Sequence, residues 1–556
     1  MEETFDFVVV GSGGGSMCAA LRLRAAGKRV LILEKTALLG GTTAASGGVM
    51  WIPNNRYMRA EGIVDSSEQA LAYLDAVLGE AADMPGASRE RRRAYVEQAP
   101  QMLDFLVAQG IRLRRIPSWP DYYDAAGASV PGRAVVSELF DIKQLGEWMD
   151  KLRPGFLPLP ANLDEAMQLP LIKRSFAAKK TLARILGRAL ADRLRGRRRV
   201  TAGQALQGQM LHAALKAGTE IRVGCAVREL LLEKGGVSGV LCEQDGQLRR
   251  ITARLGVLIN AGGFARNQRM LDRYIPGTRA DWSSAIEGDT GEMIEEGLRI
   301  GAAGAQLGER IGMQIALTPG WQKLAVKPGM QNDINKPHAI VVDQSAQRYA
   351  NEASPHPEFS RQMLLRNRSV PANPSWMIFD SQYLRTYMLA GTLPGARKPQ
   401  PWFEQNVLRK ADSLAALAGQ CGLDAQALAA TVQRFNGFVR QGRDADFGRG
   451  NAPYDRWAGD PLHQPSNTLG ALEQAPFYAL QLVPGDVGTY GGLLTDASAR
   501  VLRPDGSVIA GLYATGTSSA SVMGACEVGP GGSIGPAFTW GYIAAQDALR
   551  SAAAND

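Results

Sequence analysis

Six residues near the N-terminus, Gly11-Ser12-Gly13-Gly14-Gly15-Ser16, have the types and order that hold a pyrophosphate. They follow Phe5-Asp6-Phe7-Val8-Val9-Val10, an apolar, β-branched run of buried-strand type. Gly11 allows a sharp turn out of the strand. Gly13 removes a side chain where phosphate oxygens approach the backbone. Ser16 stands where a third small residue lets helix and strand pack closely. A helical pattern runs from about Gly14 to Ala26 and stops at Gly27. Its first turn offers unpaired N–H groups and a positive dipole end to phosphate. A second strand, Arg29–Leu33, ends at Glu34, 23 residues after Gly11. A carboxylate there accepts hydrogen bonds from ribose hydroxyls.

A second glycine-rich loop, Gly40-Gly41-Thr42-Thr43-Ala44-Ala45-Ser46-Gly47-Gly48, comes soon after Glu34-Lys35. A nicotinamide dinucleotide does not need one there. A flavin dinucleotide is longer and must be covered along its pyrophosphate and rings, a task suited to backbone N–H groups and the small hydroxyls of Thr42, Thr43 and Ser46. The cofactor read from these residues is FAD. No histidine or cysteine lies in the expected flavin loops except Cys526, so the reading is of a non-covalent cofactor.

The run from Glu34-Lys35 through Gly40–Gly48 to Val49-Met50-Trp51-Ile52-Pro53-Asn54-Asn55 resembles the fumarate-reductase-type flavoproteins, and within them the 3-ketosteroid dehydrogenases. The resemblance returns at Gly203–Leu206, at Ala261-Gly262-Gly263-Phe264, at Tyr349-Ala350-Asn351-Glu352, and from Gly485 onward. It implies further FAD contacts from Val227, Ala261, Gly262, Gly263, Gly516, Ser533 and Ile534. It also implies a discontinuous cofactor domain: an α/β, Rossmann-type FAD-binding domain with an inserted α+β substrate-capping domain. The boundaries read as 1–290 and 481–556 for the FAD domain and 291–480 for the cap.

Desaturating a ketone next to its carbonyl needs a base for the α-proton, donors for the carbonyl oxygen as it becomes enolate-like, and a flavin N5 to take a hydride from the adjacent carbon. In the family a set of tyrosines does the protein's share. Tyr122, in Pro120-Asp121-Tyr122-Tyr123, keeps the first. The second, the usual base, follows the Asn-Glu motif, and in Asn351-Glu352-Ala353-Ser354-Pro355-His356 it is replaced by His356. The third, a carbonyl donor, becomes Glu527 in Cys526-Glu527-Val528-Gly529-Pro530-Gly531. The Gly531 N–H matches the family's second donor. His356 is a reasonable base, with an ordinary pKa of about 6.5. Glu527 must be protonated to donate, or else it is itself the base. Tyr490, in Gly488-Thr489-Tyr490-Gly491-Gly492, supplies another phenol. Both 1,2- and 4,5-desaturation of a 3-ketosteroid, or of another ring ketone, remain open. An acid-reducing enzyme of the fumarate type and a flavin-binding protein without desaturase activity are the alternatives. The fumarate enzymes usually carry histidine in the loop matching Gly488–Gly492, and none stands here.

The elements that must position these groups are spread over 556 residues, 45% hydrophobic and 21% charged, an ordinary globular composition. Five scattered cysteines form no CxxC pair and four histidines form no metal-binding spacing, so no metal site is expected. The N-terminus shows no secretion signal, and no apolar run of about 18 residues exists, which fits a cytoplasmic protein. The electron acceptor is unmarked: without cluster or haem motifs, electrons leave through FAD to a quinone, a small carrier or oxygen. The net charge of +8 is local. Between Lys173 and Arg199 eleven Lys or Arg face one acid, Asp192, and the rest of the chain is about neutral. This pattern calls for no nucleic-acid partner. The segment 171–199 carries Leu182, Ile185, Leu186, Leu190 and Leu194 at near-helical spacing. It reads either as a solvated helix packing its apolar stripe on the protein or as a surface helix touching anionic lipid at the inner face of the membrane.

Overall fold

The computed structural model describes residues 2–79 and 84–555. The buried run at the N-terminus forms a strand, Glu2–Val10, flanked by two parallel neighbours, Val30–Leu33 and Gln247–Ile259. Glu220–Arg222 adds in parallel on one side and Val508–Ala514 on the other, giving five parallel strands drawn from both ends of the chain. Arg500–Leu502 closes one edge antiparallel, and a hairpin of Cys225–Glu233 and Gly236–Gln244 extends from the first half of Gln247–Ile259. This is the Rossmann-type, discontinuous sheet expected for the FAD-binding domain.

Register is what matters for the site. Val10 is opposite Leu33 and Ile259, and Ile259 is opposite Ala514. The segments that follow these four residues, at Gly11, Glu34, Asn260 and Thr515, therefore leave the sheet side by side along its carboxyl edge. Open α/β sheets bind ligands at this edge.

The helix after the first glycine turn, Gly14–Arg24, packs on the C-terminal helix, Ile534–Asn555. The contact depends on glycine. A Cβ on Gly14 would overlap the Phe538 ring, one on Gly15 would sit 2.5 Å from the Ala537 oxygen, and one on Gly541 would overlap the Gly15 carbonyl. The close packing expected of Ser16 is thus made by Gly14 and Gly15. Ser16 instead accepts a 2.8 Å hydrogen bond from the Asn260 side chain, which ties the first turn to the Gln247–Ile259 strand.

A second sheet runs in the order Arg310–Ala316, Phe477–Thr489, Ser375–Asp380, Ala339–Val342, with Leu408–Ala411 also paired to Phe477–Thr489. Helices Leu414–Cys421 and Ala425–Gln441 cover one face through Leu417, Leu428, Val432 and Phe435, packed on Ile340, Trp376 and Ile378. The expected border at 480 falls inside Phe477–Thr489, whose strand partners among the described residues all belong to this second sheet, with one isolated bridge from Asp486 to Ser283.

The basic segment forms a helix, Phe176–Leu194. Of its expected apolar stripe only Ile185 is buried, together with Ala178 and Thr181. Leu186, Leu190 and Leu194 are exposed, as is Phe176 at 82%. Ile185 therefore packs on the protein and Leu182 is half-buried, while the other three leucines of the stripe face solvent. Among the described residues no helix is long and apolar enough to cross a membrane.

Candidate active site

A cleft runs along the carboxyl edge of the first sheet. Its walls include Gly11, Ser12, Gly13, Glu34, Lys35, Gly41, Thr42, Thr43 and Ser46 from the two glycine loops. Val227, Ala261, Gly262, Gly516, Ser533 and Ile534 complete it, as the sequence expected. Gly11 sits at φ +95°, where a side chain is strained. Gly13 caps the Gly14–Arg24 helix with no side-chain partner, so the first N–H groups face the cleft unfilled. Glu34 is buried, with one oxygen accepting from Ser12 Oγ at 2.6 Å and the other from the Thr36 N–H and hydroxyl at 2.9 Å. The open helix end, the glycine-only turn and the fixed carboxylate fit the pyrophosphate and ribose of FAD.

Five expected cofactor residues lie behind this surface. Gly15 and Ser16 serve helix packing and the Asn260 link. Gly48 meets Gly203, where a Cβ would come within 2.6 Å of backbone, and Gly47 lies against Val49. The Gly263 N–H is bonded to Asp289 at 2.6 Å. Asn260, Asp289, Arg228 and Thr517 line the cleft and carry no motif that sequence reading can find. Asp289 is fully buried, and burial raises its carboxyl to about 6. Lys35 pairs with Glu292 at 2.8 Å, which fastens the acid loop to the segment after Asp289.

The expected catalytic groups converge beside the far end of the cleft. The Tyr122 N–H bonds the Val528 oxygen at 3.0 Å, fixing the Pro120–Tyr123 loop against the residue after Glu527. Asp121 anchors that loop, accepting from Trp51 Nε1 at 2.7 Å and pairing with buried Arg133 at 2.5 Å. His356 begins the helix His356–Arg366. Its Nδ1 lies 2.8 Å from the Gly312 carbonyl oxygen. A carbonyl only accepts, so Nδ1 carries the proton and Nε2 keeps its lone pair. That Nε2 faces Glu527 Oε2 at 3.7 Å. Burial holds His356 below its usual range and pushes Glu527 up to about 8. Near neutral pH both are uncharged, one a ready acceptor and the other a donor. Glu527 Oε2 is buried without a hydrogen-bond partner among the described residues, as is the Tyr490 hydroxyl. Burial holds Tyr122 and Tyr490 well above the usual phenol range, with the Glu527 carboxyl adding to the effect. Gly531, at φ +89°, could not accept a Cβ without overlapping the Val49 oxygen, and its N–H has no partner among the described residues. A smaller cavity lined by Tyr490 and Gly532 shares Gly516, Thr517, Ser533 and Ala537 with the cofactor cleft.

Sequence reading missed Tyr454. Its ring meets Tyr122 edge-on at 4.7 Å, and Trp457 and Trp119 continue the aromatic wall, stacked at 5.0 Å. The Tyr349–Glu352 motif explains how the wall is held. Glu352 is buried between Arg348 and Arg449, and Asn351 donates to Asp455 at 2.9 Å, beside Tyr454. The motif thus positions both His356 and Tyr454 without touching the pocket's contents.

A parallel sheet with this cleft at its carboxyl edge, beside a buried cluster of titratable side chains, fits an FAD-dependent oxidoreductase. The family described as "FAD binding domain" matches residues 6–534. The 3-oxosteroid 1-dehydrogenase of Mycolicibacterium smegmatis is 36% identical over all of this chain and 98% of its own length. The 4-oxocyclohexanecarboxylate 2-dehydrogenase of Sinomonas cyclohexanicum is 32% identical, over all of this chain and 94% of its own. The crystal structure of 3-ketosteroid delta1-dehydrogenase from Sterolibacterium denitrificans, in complex with 1,4-androstadiene-3,17-dione, superposes with a TM-score of 0.91 at 36% identity, covering 99% of this chain and 100% of that one. The chain belongs to the FAD binding domain family and, within it, to the 3-ketosteroid dehydrogenase group.

Proposed function

We propose that this protein desaturates a 3-ketosteroid between C1 and C2. The observation that carries the reading is the convergence of His356, Glu527 and Tyr122 beside Tyr490, whose cavity shares Gly516, Thr517 and Ser533 with the cofactor cleft; Gly531 follows Glu527 on the same segment. The aromatic wall of Tyr122, Tyr454, Trp457 and Trp119 suits a flat polycyclic substrate. FAD, held by the Gly11–Gly13 turn, Glu34 and the Gly41–Ser46 loop, supplies the hydride acceptor. The chain's own residues do the rest. The neutral Glu527 carboxyl and the Gly531 N–H hold the carbonyl oxygen as charge develops on it. His356 Nε2 takes the proton from the carbon next to the carbonyl. The Tyr122 phenol, kept protonated by burial, backs this face of the pocket.

A grip on two carboxylates would need cations in this pocket, and those would hold Glu527 low. The groups beside Glu527 include His356, Tyr122, Tyr454 and Tyr490, none of them a fixed cation, and burial raises its carboxyl. A smaller ring ketone is the second reading, favoured by the cyclohexanecarboxylate relative. Anaerobic mixing of the oxidised holoenzyme with a 4-en-3-one steroid, a saturated 3-ketosteroid, 4-oxocyclohexanecarboxylate and succinate separates these readings. Flavin bleaching by the steroid, with a 1,4-dien-3-one as product, is the expected result. Bleaching by the small ketone alone, or a 4,5-unsaturated product from a saturated steroid in preference, overturns it.

We also propose that the enzyme rests on an anionic membrane surface through the helix Phe176–Leu194. Its exposed Phe176, Leu186, Leu190 and Leu194 are interleaved with unburied lysines and arginines, the pattern of an interfacial helix. Sedimentation with acidic vesicles, released by salt, is expected. Equal recovery with neutral vesicles overturns this part.

A further inference from the structure

Beside the C-terminal end of this helix lies a cavity of about 560 Å³, separate from the cofactor cleft. Five arginines line it: Arg112 and Arg114 from one segment, Arg188 from the helix, and Arg197 and Arg199 from the turn that follows. Three are braced by carboxylates. Arg114 pairs with Asp164, Arg188 with Glu165 at 2.7 Å, and Arg199 with Asp192 at 2.7 Å. Bracing fixes a guanidinium in place while leaving some of its five donors free. The other two are less engaged. Arg112 reaches only the Leu139 carbonyl, at 3.3 Å, and the Arg197 side chain has no partner among the described residues. Glu138 and Asp141 share the lining. Asp141 already accepts the Lys143 and Arg198 N–H groups.

Fixed arginines with free donors match the oxygens of a phosphodiester. Carboxylates in the same cavity accept from hydroxyls on the ligand. The neighbouring surface completes the match. Leu186, Leu190 and Leu194 are spaced by four residues, so they form one exposed stripe, about 12 Å long, ending next to Arg197. Arg193, Arg195 and Arg198, close in sequence to the lining residues Arg197 and Arg199, add positive charge without carboxylate partners among the described residues.

We propose that this cavity binds the headgroup of an anionic, hydroxyl-bearing phospholipid of the phosphatidylglycerol type, with its acyl chains lying along Leu186, Leu190 and Leu194. This rests on the membrane reading above and adds a specific site to it.

The test uses the FAD-loaded, full-length protein with phosphatidylcholine vesicles containing phosphatidylglycerol. The double variant Arg112→Gln/Arg197→Gln is compared with Lys179→Gln/Lys180→Gln, which removes the same charge from the same surface outside the cavity. At roughly 1 kcal/mol per cation, either double loses about 30-fold in vesicle affinity from charge alone. The cavity adds a further loss of about tenfold to Arg112→Gln/Arg197→Gln only. Unchanged FAD content and steroid turnover in both variants show that they fold. Equal losses in the two doubles overturn the headgroup site while leaving membrane contact standing. Binding to no vesicle at all overturns the membrane reading itself. Tighter binding to phosphatidylethanolamine than to phosphatidylglycerol overturns the choice of headgroup. Thermal protection by soluble glycerol phosphate equal to that by vesicles makes it a free-anion site and overturns the lipid assignment.

Discussion

Replacing Glu527 by Gln separates a carbonyl donor from a base. Burial moves this carboxyl from its ordinary 4.5 to about 8. At 1.36 kcal/mol for each tenfold, that gap places the ionised form about 5 kcal/mol less favourably in the fold than in the unfolded chain. At pH 7 roughly one molecule in ten carries the charge, and at pH 9 roughly nine in ten do. The folded value is raised, so the neutral donor is present below about pH 8 and lost as pH rises through it. Wild-type turnover on a 3-ketosteroid should therefore fall nearly tenfold for each pH step above about 8. Gln keeps a neutral N–H donor of similar size and cannot ionise. The variant should hold turnover at pH 7 within about tenfold of wild type and lose the alkaline limb. It should also lose less thermal stability than wild type as pH rises from about 4.5 to about 8, because over that range wild-type Glu527 ionises in the unfolded chain while the fold keeps it neutral, which draws the equilibrium toward unfolding. Steady-state kinetics with a dye acceptor from about pH 6 to pH 10, with FAD content checked at each end, measures all three. If wild-type turnover instead rises through pH 8, and Glu527→Gln falls about 100- to 10,000-fold at every pH, Glu527 is the base and the donor assignment is wrong.

Four further outcomes are expected. His356→Ala should lower turnover about 100- to 10,000-fold, and in wild type the matching acid limb should lie below about pH 6.5, since burial lowers this group; pH profiles of both proteins check this. Tyr122→Phe should reduce turnover while the visible flavin spectrum is unchanged. Glu34→Ala should weaken FAD by about 1–3 kcal/mol, or about 5- to 150-fold in Kd, measured by fluorescence titration of the apoprotein. Gly14→Ala drives a methyl into the buried Phe538 ring and should destabilise the protein by about 1–3 kcal/mol, seen as a lower melting temperature with or without added FAD.

The cofactor site was legible because it is local. Strand, turn, helix and acid all lie between residues 2 and 34, and each signal has a fixed spacing from the last. The second loop, Gly40–Gly48, follows directly. Legibility fails where a contact joins distant segments. Nothing in the spacing announces that Asn260 will bond Ser16 across 244 positions, or that Tyr454 will close on Tyr122. His356 and Glu527 were found by their places in motifs. Their charge states depend on burial, which only the fold reveals. The basic helix misled in one respect. Its leucines have the spacing of a packed stripe, and the fold turns three of them to solvent.

The glycine contact between Gly14–Arg24 and Ile534–Asn555 bears on the protein's birth. The helix that meets the pyrophosphate leaves the ribosome about 510 residues (534 − 24) before its packing partner. At roughly 5–20 residues per second, the two are separated by about half a minute or more of translation. Through that interval the nascent chain carries a nucleotide turn without its backing helix, and the strand Val508–Ala514 is missing from the same sheet. Cofactor capture therefore waits on synthesis of Ile534–Asn555, and a message cut short upstream of Ile534 yields a product with no completed place for FAD.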